Sequence, residues 1–136
     1  MTGRPARLTV YYDADCGFCI WSVAQLLRLD RARRVTPAAI QGATDTDLAG
    51  IPAERVLSSF HARADGAAPV SAGAALTAVL STIGPLRPLG RLSSRVPRWT
   101  DRAYFFVADR RGRWARLIPE ASKRRARTTV RERAAR

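Results

Sequence analysis

The sequence predicts an α/β fold: a central mixed sheet of about four strands flanked by helices, with an extra helical segment at its C-terminal side. Three observations lead there. A β-branched and aromatic run, LTVYY (8–12), is followed within a few residues by a segment of helical periodicity. Farther along, two short extended stretches separated by turn residues again precede an amphipathic helix. Finally, 46% hydrophobic residues in a chain of 136 suffice for one core of ordinary size, and no run of about 18 apolar residues suggests a membrane span.

Taken in order, residues 1–7 with Pro5 read as a disordered lead. Leu8–Tyr12 is the first strand, and residues 13–17 make a turn. Residues 17–30 form a helix whose apolar positions Ile20, Val23, Ala24 and Leu27 repeat at i, i+3, i+4 and i+7, widened by Trp21, Leu26 and Leu29. Residues 35–40 are a second strand despite Pro37, and residues 41–53 a loop with one short helical turn. A third strand is expected over 55–62 (RVLSSFHA), then turn residues ADGAAP (64–69) and a short fourth strand at Val70. The next helix starts at Ser71 or Ala72 and carries Leu76, Val79, Leu80 and Ile83 on one face until Gly84–Pro85 stops it.

Residues 85–99, with Pro85, Pro88 and Pro97, read as a connector. Thr100 or Asp101 then caps a helix over 101–111, which is expected to bury its aromatics on the core. Residues 123–136 (KRRARTTVRERAAR) are a like-charge run read as a frayed end. The expected organisation is one domain over 8–118 with a basic tail over 119–136. Its element order, strand–helix–strand followed by strand–turn–strand–helix, is the thioredoxin-like order.

Chemistry concentrates at the first strand–helix junction, YYDADCGFC (11–19). The first turn of a helix has N–H groups with no intrahelical partner, and with the helix dipole they favour negative charge there. A cysteine so placed ionises more readily, and the thiolate is the reactive species. Cys16 occupies that point, and Cys19 lies one helical turn on, expected to be the more buried. Cys16 is thus the candidate nucleophile and Cys19 the resolving thiol of a dithiol–disulfide cycle. Gly17 and Phe18 tune the pair by setting which N–H groups face Cys16, and Tyr12 ends the strand that presents it. Asp13 is a candidate proton acceptor or relay. Asp15 would favour the helix as an N-cap yet oppose the thiolate as a neighbouring anion. Both carboxylates read equally as turn residues.

Other uses of the pair are constrained. A zinc site normally takes four ligands, and this chain offers two cysteines and one histidine, so such a site would need a second chain. His61 itself reads as a strand-end residue with a solvated ring. There is no glycine-rich nucleotide motif, so no flavin, nicotinamide or other cofactor is expected, and electrons would come from an external thiol. The chain begins with no apolar signal segment, which favours the cytoplasm, where a CxxC is more often catalytic than structural.

The charge of +13 is unevenly spread. Residues 1–85 hold 8 Arg against 7 Asp and Glu, a net +1, whereas residues 86–136 hold 16 Arg and Lys against 4 acids, a net +12. Trp99, Tyr104, Phe105, Phe106 and Trp114 lie among those arginines. This half therefore offers a second class of function: a basic module for nucleic acid or an anionic membrane surface, with the cysteine pair silent. The two combine in a peripheral redox protein. Removing residues 123–136 is expected to spare the redox activity and abolish the binding one.

The run Tyr12-Asp13-x-x-Cys16-x-x-Cys19 resembles the signature of the DCC family of thiol–disulfide oxidoreductases. Residues 59–80 resemble that family's "DG…G..A" segment through Asp65, Gly66, Gly73 and Ala75. RAYFFVADRRGRW (102–114) resembles its closing stretch through Tyr104, Ala108 and Arg111. The resemblance covers roughly 8–116. It implies a thioredoxin-like fold, disulfide reduction or exchange on a protein or small-molecule substrate, and Cys16 and Cys19 as the active pair. The proline that thioredoxins set opposite the CxxC has its nearest counterpart in Pro52, several residues too early for that part.

Overall fold

A computed structural model describes residues 7–134, so the lead expected over 1–7 falls almost wholly outside the described residues. The sheet comprises β1 (Leu8–Tyr12), β2 (Val35–Ala39), β3 (His61–Ala64) and β4 (Val70–Ser71), in the order β2-β1-β3-β4. β1 runs parallel to β2 and antiparallel to β3, and β3 pairs antiparallel with β4. The helices are α1 (Gly17–Leu29), α2 (Ala72–Thr82), α3 (Arg87–Arg95), α4 (Pro97–Ala108), α5 (Arg111–Leu117) and α6 (Glu120–Ala134). This mixed four-stranded sheet, a βαβ unit followed by a ββα unit, is the expected thioredoxin-like α/β architecture.

Alternation along β1 sorts its side chains between two cores. Leu8 and Val10 point to the main one, built with Ile20, Val23, Ala24 and Leu27 of α1, Val79 of α2, and Ala126 and Val130 of α6. Tyr11 points to the opposite face, where Ile40 and Leu48 cover it. Pro37 is fully buried within β2. Its missing N–H costs no ladder bond between strands because β2 is an edge strand.

Several expectations need correction. The third strand does not begin at residue 55. Ala53–Arg55 is a short 3-10 turn and the chain stays looped to Phe60, because the buried His61 ring gathers the loop by bonding the Val56 carbonyl at 2.7 Å. His61 is therefore a core residue rather than a solvated one: Nε2 must donate to that carbonyl, and Nδ1 meets the Ser71 hydroxyl at 2.7 Å. The connector over 85–99 holds a complete helix, α3, and α4 starts at 97 rather than 101. Pro88 and Pro97 sit in the first turns of these helices, where a missing N–H costs nothing.

As far as Ala134, the basic C-terminal run is helical rather than frayed. Helix α6 lies against α1, with Ala126 and Val130 buried. Arg133 reaches back to donate to Asp30 Oδ2 at 2.9 Å and to the Leu27 carbonyl at 3.1 Å, closing the C-terminal end of α1 with a cation. Asp30 is 2% exposed and also accepts from the Arg34 and Val35 N–H groups. Deleting the segment from residue 123 onward would remove Ala126 and Val130 from the main core, so such a deletion is expected to disturb the fold as well as the charge.

Candidate active site

β1 delivers the chain into a tight turn, closed by the Cys16 N–H donating to the Asp13 carbonyl at 3.1 Å. The turn is clasped from outside. Asp13 Oδ1 accepts from the Asp15 N–H at 2.9 Å and from Gln41 Nε2 at 2.8 Å, while Gln41 Oε1 accepts from the Ala14 N–H at 3.1 Å. Gln41 comes from the 3-10 turn after β2, so the strand parallel to β1 braces the loop that β1 feeds. The carboxylates act here as turn residues. Asp15 does not cap α1, because Cys16 itself takes the N-cap position.

That capping is the centre of the site. The Cys16 backbone is extended (φ −104°, ψ 108°), its carbonyl accepts the first helical bond from Ile20, and its Sγ accepts from the Cys19 N–H at 3.3 Å. Sulfur thus occupies the place of a serine or aspartate oxygen at a helix start, and negative charge on it is stabilised. The Cys16 thiol is lowered to about 6. The thiol hydrogen bond from Cys19 contributes most, the Cys19 N–H and the Arg111 guanidinium add to it, and burial and the Asp13 carboxylate oppose it. Cys19 moves far the other way, because its proton is held by Cys16, its sulfur is buried, and the Cys16 charge repels a second thiolate. Both cysteines are free thiols and both are partly buried. A dithiol with one sulfur largely ionised at neutral pH and the other holding its proton is poised for exchange.

Cys19 also forms part of the wall of an apolar cavity of about 310 Å³, beside Phe18, Tyr12, Leu26, Phe60 and Leu76. The far wall is α4 and the start of α5: Tyr104, Val107, Ala108 and Arg111. Burial is the main cause that lifts the Tyr104 phenol to about 12, and its oxygen accepts the Phe60 N–H at 2.9 Å, tying α4 to the approach to β3. Leu76, expected on the core face of α2, instead faces this cavity.

The structure brings Tyr12, Asp13, Asp15, Cys16, Gly17, Phe18 and Cys19 into one corner, as their adjacency requires. Gly17 opens α1 and lies under the stem of Lys123, the chain's one lysine: a Cβ there would sit 3.5 Å from Lys123 Cδ, an ordinary contact. Phe18 stacks on Trp21. Two participants carried no local signal of a role. Gln41 sits in what reads as featureless loop. Arg111 figured only as the end of the resembled closing stretch, yet it is the cation both thiols feel. His61 takes no part, and among the described residues no three His, Cys, Asp or Glu side chains gather as metal ligands. No helix among the described residues is long and apolar enough to cross a membrane.

The model of one family, described as DCC1-like thiol-disulfide oxidoreductase, matches residues 10–117. No curated protein and no solved structure matches the chain.

Proposed function

The chain belongs to the DCC1-like thiol-disulfide oxidoreductase family, and from that premise we propose that it reduces or exchanges disulfides with Cys16 as nucleophile and Cys19 as resolving thiol. The observation that carries this reading is the Cys16 sulfur at the N-cap of α1, accepting the Cys19 N–H.

The Cys16 thiolate attacks one sulfur of a substrate disulfide. The bond between the substrate sulfurs breaks, one leaves as thiolate, and Cys16 is held in a mixed disulfide. Two of the three largest influences that keep Cys19 protonated then vanish together: Cys16 no longer carries charge, and it no longer takes the Cys19 proton in a hydrogen bond. Cys19 becomes more acidic at the moment its attack is needed. It loses its proton, attacks Cys16 Sγ and expels the second substrate thiolate. The substrate has gained two electrons, Cys16 and Cys19 have become a disulfide, and an external thiol returns the pair to the dithiol. Asp13 holds the turn, and its carboxylate, whose charge both thiols feel, is the candidate to receive the Cys19 proton. The substrate is a disulfide-containing protein or small molecule. The cytoplasm, with peripheral attachment to a membrane, is the proposed setting.

The test is a redox titration of the full chain in graded thiol–disulfide buffers, with free thiols trapped and counted by intact mass. A reversible two-electron transition between roughly −270 and −120 mV, lost in Cys16→Ser, is expected. The absence of any reversible Cys16–Cys19 disulfide would overturn the reading.

A further inference from the structure

We infer that the outward face of α3 and α4 is a docking surface for an anionic phospholipid membrane. Both helices rest on α2. Gly90 of α3 lies so close that a Cβ there would come 2.7 Å from the Ser81 backbone nitrogen. Ser93 hydrogen-bonds Thr77, and Asp101 of α4 accepts the Gly73 N–H at 2.9 Å. The opposite faces of the two helices therefore look outward together.

Those faces are apolar where a solvated helix is polar. Leu89 (53% exposed), Leu92 (60%) and Val96 (37%) repeat at i, i+3 and i+7 along α3 and its end, and Trp99 (66%) and Phe106 (57%) continue the exposed surface on α4. This outward stripe reverses the usual amphipathic arrangement, in which leucines at that spacing face the core.

The surrounding charge identifies the occupant. Residues 87–117 contain nine arginines and two acids, Asp101 and Asp109. The ion pairs found among the described residues join Arg63 to Asp47, Lys123 to Glu120 and Arg133 to Asp30, none of which draws on an arginine of this segment. Instead, Arg102 lies 5.3 Å from the centre of the Trp99 ring and Arg110 lies 4.0 Å from that of Phe106. An exposed leucine stripe with a tryptophan and a fringe of arginines matches the boundary between acyl chains and anionic headgroups, where each component has a partner. Phosphates of a nucleic acid would engage the arginines but leave Leu89, Leu92 and Val96 with nothing to bury against.

The experiment is co-sedimentation of the full chain with vesicles of phosphatidylcholine containing about a third phosphatidylglycerol, against pure phosphatidylcholine, with a single-stranded oligonucleotide as a separate probe. Binding to the anionic vesicles is expected, together with a blue shift of tryptophan emission that is absent in Trp99→Phe. Leu92→Ser with Trp99→Ala weakens vesicle binding by roughly tenfold or more. Replacing Arg91, Arg95 or Arg98 by Gln weakens it about fivefold each. Cys16→Ser sediments like the parent, so this proposal stands or falls separately from the redox reading. Failure to bind anionic vesicles, or vesicle binding that Leu92→Ser with Trp99→Ala leaves unchanged, would overturn it. So would tighter binding to the oligonucleotide that the same double substitution does not touch, which would assign the face to nucleic acid.

Discussion

Two arginine-rich stretches of this chain have opposite fates. In α6 the charge run is structural: Arg133 is joined to a buried carboxylate, and Ala126 and Val130 fill the main core. In α3 and α4 the arginines stand in solvent beside large apolar residues that also stand in solvent, leucines on α3 and aromatics on α4. The difference lies in what each helix meets. α6 has small and branched residues at 126 and 130, four apart, so it can approach α1 closely, and one arginine finds an acid placed to receive it. α3 approaches α2 through Gly90 and Ser93, and α4 through Asp101, which leaves Leu89, Leu92, Trp99 and Phe106 on the outside. A run of like charge says little about burial until the small residues within it are located.

Breaking the α6 side should give the largest effect. Arg133→Ala leaves the Asp30 carboxylate buried without its cation, and loss of one partner of such a pair typically costs about 3–5 kcal/mol. Urea denaturation at neutral pH measures it. A loss below about 1 kcal/mol would mean that α6 does not hold to α1 in solution, and the contrast between the two stretches would dissolve. The α3 side comes next. Gly90→Ala places a methyl within 3 Å of Ser81 backbone atoms that have no flexible end to yield. Such overpacking destabilises by about 1–3 kcal/mol and should pry α3 from α2. Thermal unfolding checks it, and an unchanged midpoint would show α3 already loose.

The legibility of the sequence divides along the same line. The CxxC junction could be read because its determinants are local: a strand, a turn and a helix face within 22 residues, with the capping sulfur and its donor three residues apart. Gln41 could not be, because its clasp joins residues 27 and 28 apart and no local pattern marks a glutamine in a loop. Pro88 and Pro97 were misleading for a physical reason, since proline ends a helix from within but opens one from its first turn. The frayed reading of α6 failed because Asp30 and Arg133 lie 103 residues apart, and each looks solvated when read alone. Over residues 8–40 periodicity and turn chemistry agreed with the tertiary structure, whereas at the His61 loop and in the C-terminal helices tertiary contacts decided.

A third arginine, Arg111, offers the smallest and most diagnostic effect, because it is neither packed like Arg133 nor turned outward like Arg91. It lowers the Cys16 thiol, but less than the Cys19 hydrogen bond does. Arg111→Gln should therefore raise the Cys16 midpoint from about 6 while leaving it below the ordinary thiol value of 9.0. The thiolate absorbance near 240 nm follows it directly. Stability of the reduced protein gives a second readout. A thiol whose folded pKa is depressed stabilises the fold fully above its unfolded value, and that contribution falls away as pH drops through the folded one. For Cys16 the window is roughly pH 6 to 9, so the urea midpoint of the reduced protein should rise with pH across it. Above that window the raised Cys19 thiol acts in the opposite sense, because the fold holds a proton that the unfolded chain releases. Arg111→Gln narrows the Cys16 window from its acid side, so its deficit should be seen near pH 8 and should vanish near pH 5, where both proteins hold the proton. A deficit of equal size at both pH values would assign Arg111 to packing through its bond to the Leu57 carbonyl rather than to the thiolate.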